Sequence, residues 1–146
     1  MRHPRHHAVL LPFVLLFGAC KESDEESARA LVDEGFDITI DLANVICDCW
    51  EEFGDNSQAD CRDDFVYLPS EQRCAKDAYL SDAAAATIYL ECRNALMDEM
   101  VACLNERLVC TDASSPDECF NDFDIGSREC IQPPQSILRD LDNCYD

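Results

Sequence analysis

The strongest constraint on the fold of this chain is its cysteine content. The 146 residues include eleven cysteines, a high density and an odd number. Cys20 ends an apolar N-terminal segment, and the other ten are spread over the rest of the chain: Cys47, Cys49, Cys61, Cys74, Cys92, Cys103, Cys110, Cys119, Cys130 and Cys144. Ten cysteines can form five disulfide bonds with none left over, as expected of an exported chain in an oxidising compartment.

The N-terminal segment has the layout of a secretory signal. Arg2, Arg5 and three histidines precede an apolar run over residues 8–17. That run is shorter than the roughly 20 apolar residues that a membrane-spanning helix needs, and it lacks the polar face of a core helix. We therefore expect residues 1–19 to be a signal peptide that is removed from the mature protein.

The residues before Cys20 indicate how the signal is cleaved. The bulky Phe17 does not suit an ordinary signal peptidase, which requires small residues one and three positions before the cut. The sequence Phe17-Gly18-Ala19-Cys20 instead resembles the lipobox of bacterial lipoproteins, with Phe in place of the usual Leu. The resemblance implies that the Cys20 thiol carries a diacylglyceryl group and that two or more acyl chains anchor the protein in a membrane. Lys21, where an inner-membrane retention signal would have Asp, implies the outer membrane.

Removal of the signal leaves a strongly acidic chain. Residues 1–19 contain two of the eleven Lys and Arg residues and none of the 31 acids, so nine basic and 31 acidic residues remain, a net charge of −22. All three histidines (His3, His6 and His7) leave with the signal. The mature chain therefore has no imidazole for Ser-His-Asp or Cys-His catalysis or for a histidine metal site. The acidity argues against nucleic acid as a partner.

Apolar residues recur at helical spacing along the mature chain, and no segment shows the alternation of a strand. The spacing and the capping residues predict helices over residues 28–53, 69–79 and 82–108, a short helix that carries Cys119 after Ser115-Pro116, and a last helix after Pro133-Pro134. One face of the helix over residues 82–108 is expected to comprise Ile88, Cys92, Leu96, Met100 and Cys103.

Glycines mark the expected breaks in these helices. Gly54 is expected to end the first helix, Gly35 followed by Ile38-Thr39-Ile40 allows a kink in its middle, and Gly126 is expected to break the helix that carries Cys119. The predicted fold class is all-α, a small disulfide-stapled domain of four to five helices. The chain is expected to divide into a signal peptide, a lipidated Cys20 with a short acidic tether, and this domain: residues 1–19, 20–27 and 28–146.

Spacing alone limits the disulfide pairing only weakly, because ten cysteines allow about 945 pairings. Cys92 and Cys103 lie on one helix face about three turns apart, so each is expected to bridge to a different segment. Cys47 and Cys49 are about 200° apart around a helix and are expected to bridge to opposite flanks. Cys49–Cys61 and Cys110–Cys119 are the pairs expected to close local loops.

Some of the cysteines and acids are also candidate chemical sites. Cys47-Asp48-Cys49 is a CxC motif, but it lies late in a helix among acids, where a reactive thiolate is disfavoured, so structural bridging is preferred. No CxxC pair occurs, which argues against a compact four-cysteine zinc site. Asp122, Asp124 and Gly126 form a fragment of an EF-hand loop, but residues 121, 123 and 125 fall on its ligand positions, so a solvated turn is expected.

The sequence therefore predicts no catalytic residue, no metal site and no cofactor, and the chain is expected not to be an enzyme. The aromatic residues are expected to fill the core, with a ligand-binding aromatic cluster among them as the alternative: Trp50, Phe53, Phe65, Tyr67, Tyr79 and Tyr89.

The spread of the cysteines and the Cys47–Trp50 stretch resemble cysteine-rich, largely helical envelope lipoproteins of Gram-negative bacteria, a group with no shared activity. The resemblance implies a protein of the cell envelope, on the periplasmic or surface face of the outer membrane, with a structural or protein-interaction role. Its expected partners are the membrane, through the lipid on Cys20, and an envelope protein. The alternatives are a binding module for a cationic ligand, such as calcium or a basic peptide, and a thiol–disulfide oxidoreductase.

Overall fold

A computed structural model describes residues 17–112 and 114–145, with side chains from residue 23 onward. The described chain is helical, and no strand occurs in it. The helices are α1 Phe17–Ile46, α2 Trp50–Phe53, α3 Gln58–Phe65, α4 Pro69–Leu80, α5 Ala83–Arg107, α6 Asp117–Glu129 and α7 Gln135–Asp142, with a short 3-10 helix, Cys47–Cys49, between α1 and α2. The all-α prediction is therefore confirmed. The largest helices are α1, α4, α5 and α6.

Helices α1 and α5 pack along each other and form the centre of the domain. Near their starts, Ala28 and Val32 of α1 pack with Leu90 of α5. Near their ends, Ile46 of α1 packs with Leu104 of α5. Because residues near the two starts pack together and residues near the two ends pack together, α1 and α5 are parallel. The segment that contains α2, α3 and α4 leads the chain from the end of α1 back to the start of α5.

Helix α5 is apolar on two sides, because it lies between α1 and α6. The predicted single face was wrong at Ile88, which is 51% exposed. The buried residues of α5 are Ala86, Leu90, Asn94, Met97, Met100 and Leu104. Cys92 and Cys103 lie on the second side and are bonded to residues at the two ends of α6.

Two disulfide bonds join α5 to α6. Cys92 is bonded to Cys130 and Cys103 to Cys119, and each helix has its two cysteines eleven residues apart. Eleven residues of a helix span about 16 Å. Because the two cysteine pairs have the same spacing, both disulfide bonds can form when α6 lies antiparallel along α5. The prediction that Cys92 and Cys103 bridge to different segments was wrong, because Cys119 lies in the first turn of α6 and Cys130 directly follows its last residue.

Of the other three bonds, one is local, with a sequence separation of 14, and two join segments 61 and 70 residues apart. Cys47–Cys61 links the end of α1 to α3, Cys49–Cys110 links the 3-10 helix to the segment after α5, and Cys74–Cys144 links α4 to the segment after α7. Cys47 and Cys49 thus bridge to two different segments, as predicted. The predicted pairs Cys49–Cys61 and Cys110–Cys119 were wrong, because the 3-10 turn directs Cys47 towards α3, and α6 packs lengthwise on α5.

Of the three predicted breaks, only Gly54 ends a helix. Its φ of 87° lies in the left-handed region that favours glycine. Gly35 and Gly126 lie inside helices that continue through them, so the predicted break at Gly126 was wrong and Gly35 does not interrupt α1. Both are close-contact positions instead: a Cβ atom would lie 3.1 Å from Asn94 Oδ1 at Gly35 and 2.7 Å from Leu96 Cδ2 at Gly126. The helix-propensity cost of about 1 kcal/mol per glycine is thus offset by closer packing on α5.

The remaining predicted boundaries agree with the structure except at three places. The helix predicted over residues 28–53 was wrong beyond Ile46, where α1 ends and the 3-10 helix and α2 follow. The helices expected over residues 69–79 and 82–108 correspond to α4 and α5, and the last helix to α7. Residues 20–27, expected as a tether, belong to the first turns of α1. Helix α6 begins at Asp117, and the Ser115 hydroxyl accepts a hydrogen bond from Val109 N, 2.9 Å away, instead of capping α6. None of the helices in the described chain combines the length and apolarity that a membrane crossing requires.

The α5–α6 pair generates a prediction about local stability. Replacing Cys92 and Cys130 together by serine is expected to lower the free energy of unfolding by about 3 kcal/mol, because the bridge restricts the unfolded chain. Amide hydrogen exchange should then rise in the C-terminal half of α6 more than in its N-terminal half. The matched variant, without Cys103 and Cys119, should show the reverse pattern. Equal exchange along α6 in both variants would contradict the end-to-end bridging.

Asn94 is a buried polar residue in the α1–α5 interface, with an exposed fraction of 2%. Its Nδ2 donates to the Leu31 carbonyl oxygen, 2.8 Å away, and lies 3.4 Å from a carboxylate oxygen of Glu34. Its Oδ1 has no hydrogen-bond partner among the described residues. A carboxylate at this position would therefore lie beside two hydrogen-bond acceptors, the Leu31 carbonyl oxygen and the Glu34 carboxylate, with no donor.

Asn94→Asp is expected to lower the free energy of unfolding by about 3 kcal/mol, the cost of an uncompensated buried charge. Asn105→Asp is the matched control, because Asn105 is an exposed residue of the same helix whose Nδ2 donates to the Val101 carbonyl oxygen. The control should change stability by less than about 0.5 kcal/mol. Urea unfolding at neutral pH measures both. Equal decreases in the free energy of unfolding of the two variants would show that Asn94 is not buried between α1 and α5.

Candidate functional site

The predicted lipidation site lies at the start of the described chain. Residues 1–16 of the expected signal peptide are outside the described residues. Cys20 falls within α1, but its side chain is outside the described part. The signal peptide and the lipid on Cys20 therefore stay predictions.

The ten other cysteines are all bonded. Cys47 and Cys49, the two cysteines of the CxC motif, have different partners and are 0% and 4% exposed. They therefore act as structural bridges in this structure, as preferred from the sequence. In the described chain, no group of three or more His, Cys, Asp or Glu residues is arranged to hold a metal ion.

The predicted turn at Asp122, Asp124 and Gly126 was wrong, because the segment lies inside α6. Residues two apart on a helix point about 200° apart, so the two carboxylates cannot converge on one cation. Asp124 instead forms an ion pair with Arg128, one turn later on the same helix.

The chain has four tyrosines, and all four line one cavity of about 170 Å³, which we call the tyrosine cavity. Tyr67 lies between α3 and α4, Tyr79 on α4, Tyr89 on α5, and Tyr145 after α7. Phe36 of α1 also lines it. Three of the residues considered from the sequence, Tyr67, Tyr79 and Tyr89, therefore lie together around one cavity, and ligand binding by this cluster stays a prediction. Of the others, Phe53 is 46% exposed and Phe65 packs against the second core cluster.

The rings form two groups around the tyrosine cavity. Tyr67 lies between Phe36, at a centroid distance of 5.5 Å with edge-to-face geometry, and Tyr145, at 5.1 Å. Tyr79 and Tyr89 are stacked at 6.4 Å. Aromatic pairs of this kind contribute about 0.5–1.5 kcal/mol each beyond their buried area. The ring positions are therefore set by ring contacts as well as by the helices.

Local contacts fix the two tyrosines that lie outside helices. The Tyr67 carbonyl oxygen accepts a hydrogen bond from Gln72 Nε2, 3.0 Å away, and the Leu68 amide donates to a Glu71 carboxylate oxygen, 2.6 Å away, at the start of α4. Tyr145 directly follows Cys144, which is bonded to α4. The segment after α7 is thereby held against the tyrosine cavity.

Arg93 is the one charged residue among the residues that line the tyrosine cavity. It lies one helical turn after Tyr89, on the same side of α5. Lys76, Arg107, Arg128 and Arg139 form ion pairs. Arg93 has no ion pair and no hydrogen bond to any described residue, and neither does any of the four tyrosine hydroxyls. Arg29, Arg62 and Arg73 likewise have no ion pair in the described chain, so Arg93 is distinguished by its position in the tyrosine cavity.

The pKa values of two of the tyrosines are raised. Burial, followed by the proximity of Tyr89, raises the pKa of Tyr79 far above its ordinary value, and Arg93 partly offsets the rise. Burial, followed by the proximity of Tyr67, raises the pKa of Tyr145 to about 12, again with partial offset by Arg93. Because even the ordinary pKa of tyrosine, about 10, lies above physiological pH, both hydroxyls keep their protons there and are available as hydrogen-bond donors.

The tyrosine cavity adjoins a wider groove of about 660 Å³, with which it shares Thr39, Tyr67, Arg93 and Tyr145. We call this the acidic groove, because its other lining residues include Asp63, Asp64 and Glu71. Arg93 thus lies where an aromatic cavity meets an acidic approach.

Comparison with protein families, with curated proteins and with solved structures found no match to this chain. The functional argument therefore depends on the geometry of the chain itself.

Sequence reasoning missed Arg93, Tyr145 and Phe36. The spacing of Tyr89 and Arg93 was a usable signal, because residues four apart share a helix face. Tyr145 had none, because its place in the cavity depends on a disulfide bond between segments 70 residues apart.

Alkaline pH is expected to destabilise the domain through these phenols. The folded-state pKa values of Tyr79 and Tyr145 are raised above the value of about 10 in an unfolded chain. The part of the free energy of unfolding that these two phenols contribute is therefore fully present below about pH 10. It is lost as the pH rises towards their folded-state pKa values. The thermal-unfolding midpoint should fall over this range, and it should fall less steeply in Tyr79→Phe with Tyr145→Phe. An identical pH slope in the double variant would contradict the assignment.

Proposed function

We propose that the chain is a lipid-anchored protein of the bacterial cell envelope, exported and oxidised, with a non-enzymatic structural or protein-interaction role. Cysteine parity carries the proposal. Five disulfide bonds use ten of the eleven cysteines. The remaining one is Cys20, at the end of the lipobox-like motif. An odd cysteine in an exported protein needs such a separate use.

The path of α1 supports an anchor at Cys20. The helix runs from the expected lipidation site into the centre of the domain, and from residue 23 onward, where its side chains are described, the first buried residue is Ala28. Eight helical residues span about 12 Å. A lipid on Cys20 would therefore hold the domain close to the bilayer. The net charge of the mature chain opposes further contact with anionic head groups, so the lipid would be the main membrane contact.

The same charge limits the partners of the domain. A surface this acidic favours a basic envelope protein over an acidic one, because like charges at an interface are unfavourable. The outer membrane is the proposed location, since Lys21 follows the lipidated cysteine.

A ligand-binding role is the second candidate function, and the tyrosine cavity favours it. The sequence-based form of this idea, a cationic ligand, is supported by the carboxylates of the acidic groove. A thiol–disulfide oxidoreductase has no comparable support, because it requires a reactive cysteine pair and each of the ten described cysteines is bonded to a cysteine at least 14 residues away.

Intact-mass spectrometry tests the proposed function. The protein is extracted from membranes and alkylated with and without prior reduction. The expected mass is that of residues 20–146 plus two or three acyl chains, with ten alkyl labels added only after reduction, because Cys20 is blocked by lipid. Cys20→Ser is the control and should remove the acyl mass while keeping ten labels.

Two results would contradict the proposal. An unlipidated Cys20 in the membrane-extracted protein would overturn the anchor. Two labels on the native protein would overturn the fully bridged scaffold and favour the oxidoreductase.

A further inference from the structure

We propose that the tyrosine cavity binds a small organic monocarboxylate, with an aromatic or similarly sized apolar body among the tyrosine rings and its carboxylate at Arg93. The inference goes beyond the ligand-binding candidate, because it names an anionic ligand for the tyrosine cavity in place of a cationic ligand for the acidic groove, and it does not depend on the lipid anchor.

The volume of the tyrosine cavity sets the size of the ligand. A cavity of about 150 Å³ inside a protein holds one benzene molecule, and the tyrosine cavity measures about 170 Å³. One aromatic ring with a short substituent, or a branched aliphatic chain of the same size, fills this space. Nucleotides and peptides are too large for it.

The walls match a ring or an alkyl chain. Phe36, Val32, Leu90 and Leu141 supply apolar surface beside the tyrosine rings. Aromatic rings prefer offset or edge-to-face partners, and the wall already contains an edge-to-face pair and a stacked pair. A ligand ring therefore has ring faces and edges available around it.

The polar groups match an anion. The guanidinium of Arg93 and the neutral phenols all lack hydrogen-bond partners in the described chain, and no carboxylate lines the tyrosine cavity. Guanidinium is suited to planar carboxylates because its N–H groups bind both oxygens. An amine would meet the same positive charge without a counter-ion.

The acidic groove selects for a single negative charge. Asp63, Asp64 and Glu71 line the approach that shares Arg93 with the tyrosine cavity. They would repel phosphates and dicarboxylates more strongly than a monocarboxylate. The arrangement thus favours a ligand with one charge at its end and an apolar body.

Calorimetric titration of the detergent-solubilised full chain tests the ligand class with three matched probes: phenylacetate, its neutral counterpart phenylacetamide, and the cation phenethylamine. Phenylacetate should bind saturably with a stoichiometry of one. Phenylacetamide should bind at least ~10-fold more weakly, as expected for loss of a charged hydrogen bond, and phenethylamine should give no saturable heat. Equal or tighter binding of the amine would overturn the proposal in favour of a cationic ligand. No binding of any probe would also overturn it.

Arg93→Gln locates the site. It should weaken phenylacetate at least ~10-fold and leave phenylacetamide unchanged. Arg73→Gln is the matched control, because Arg73 is an exposed arginine of α4 outside the tyrosine cavity and loses the same charge. Circular dichroism checks that both variants fold. If Arg93→Gln does not fold, Arg93→Lys replaces it and should weaken phenylacetate alone.

Equal phenylacetate affinity in the Arg93 and Arg73 variants would overturn the assignment of Arg93. Failure of this proposal is distinguishable from failure of the lipid anchor, because the titration detects the cavity whether or not Cys20 carries lipid.

Discussion

Mutual repulsion among acidic side chains works against compaction of this domain. Disulfide bonds counteract that repulsion by holding the helices together. The mature chain carries nine basic and 31 acidic residues. The core is modest, consisting of two clusters along α1 and α5, as expected for a domain of this size. Five disulfide bonds, at about 2–4 kcal/mol each, therefore account for a large share of the stability. The double bridge between α5 and α6 and the bridge from α4 to the segment after α7 hold the outer helices on this core.

The same cross-links create the candidate site. The tyrosine cavity takes walls from α1, α4, α5 and the segment after α7. The Cys74–Cys144 bond brings the last of these to α4. Tyrosine hydroxyls are neutral at physiological pH, so Arg93 is the only charge among the residues that line the cavity. The tyrosine cavity therefore contains one positive charge, Arg93, although the protein as a whole is strongly negative. The attraction of Arg93 for a ligand inside the cavity is screened less by salt than the interactions between distant surface charges.

Helices were predictable from the sequence because helical periodicity and capping are local. The spans of α4, α5 and α7 and the stop at Gly54 followed from such signals. The pairing of Cys103 with Cys119 and the inclusion of Gly126 in α6 were not predictable, since both depend on α6 lying antiparallel along α5. The cavity was predictable only in part. Tyr67, Tyr79 and Tyr89 were recognisable as a possible cluster, but Arg93 became meaningful only when the packing of the helices placed it among the tyrosine rings.

The central claim is that these five bonds define the fold and assemble the cavity. Proteolysis of the native, unreduced protein followed by mass spectrometry of the linked peptides tests it most directly. The account predicts Cys47–Cys61, Cys49–Cys110, Cys74–Cys144, Cys92–Cys130 and Cys103–Cys119. A Cys144 bonded elsewhere would remove the basis for placing Tyr145 beside Tyr67. A Cys92 or Cys103 bonded outside α6 would contradict the packing of α6 on α5.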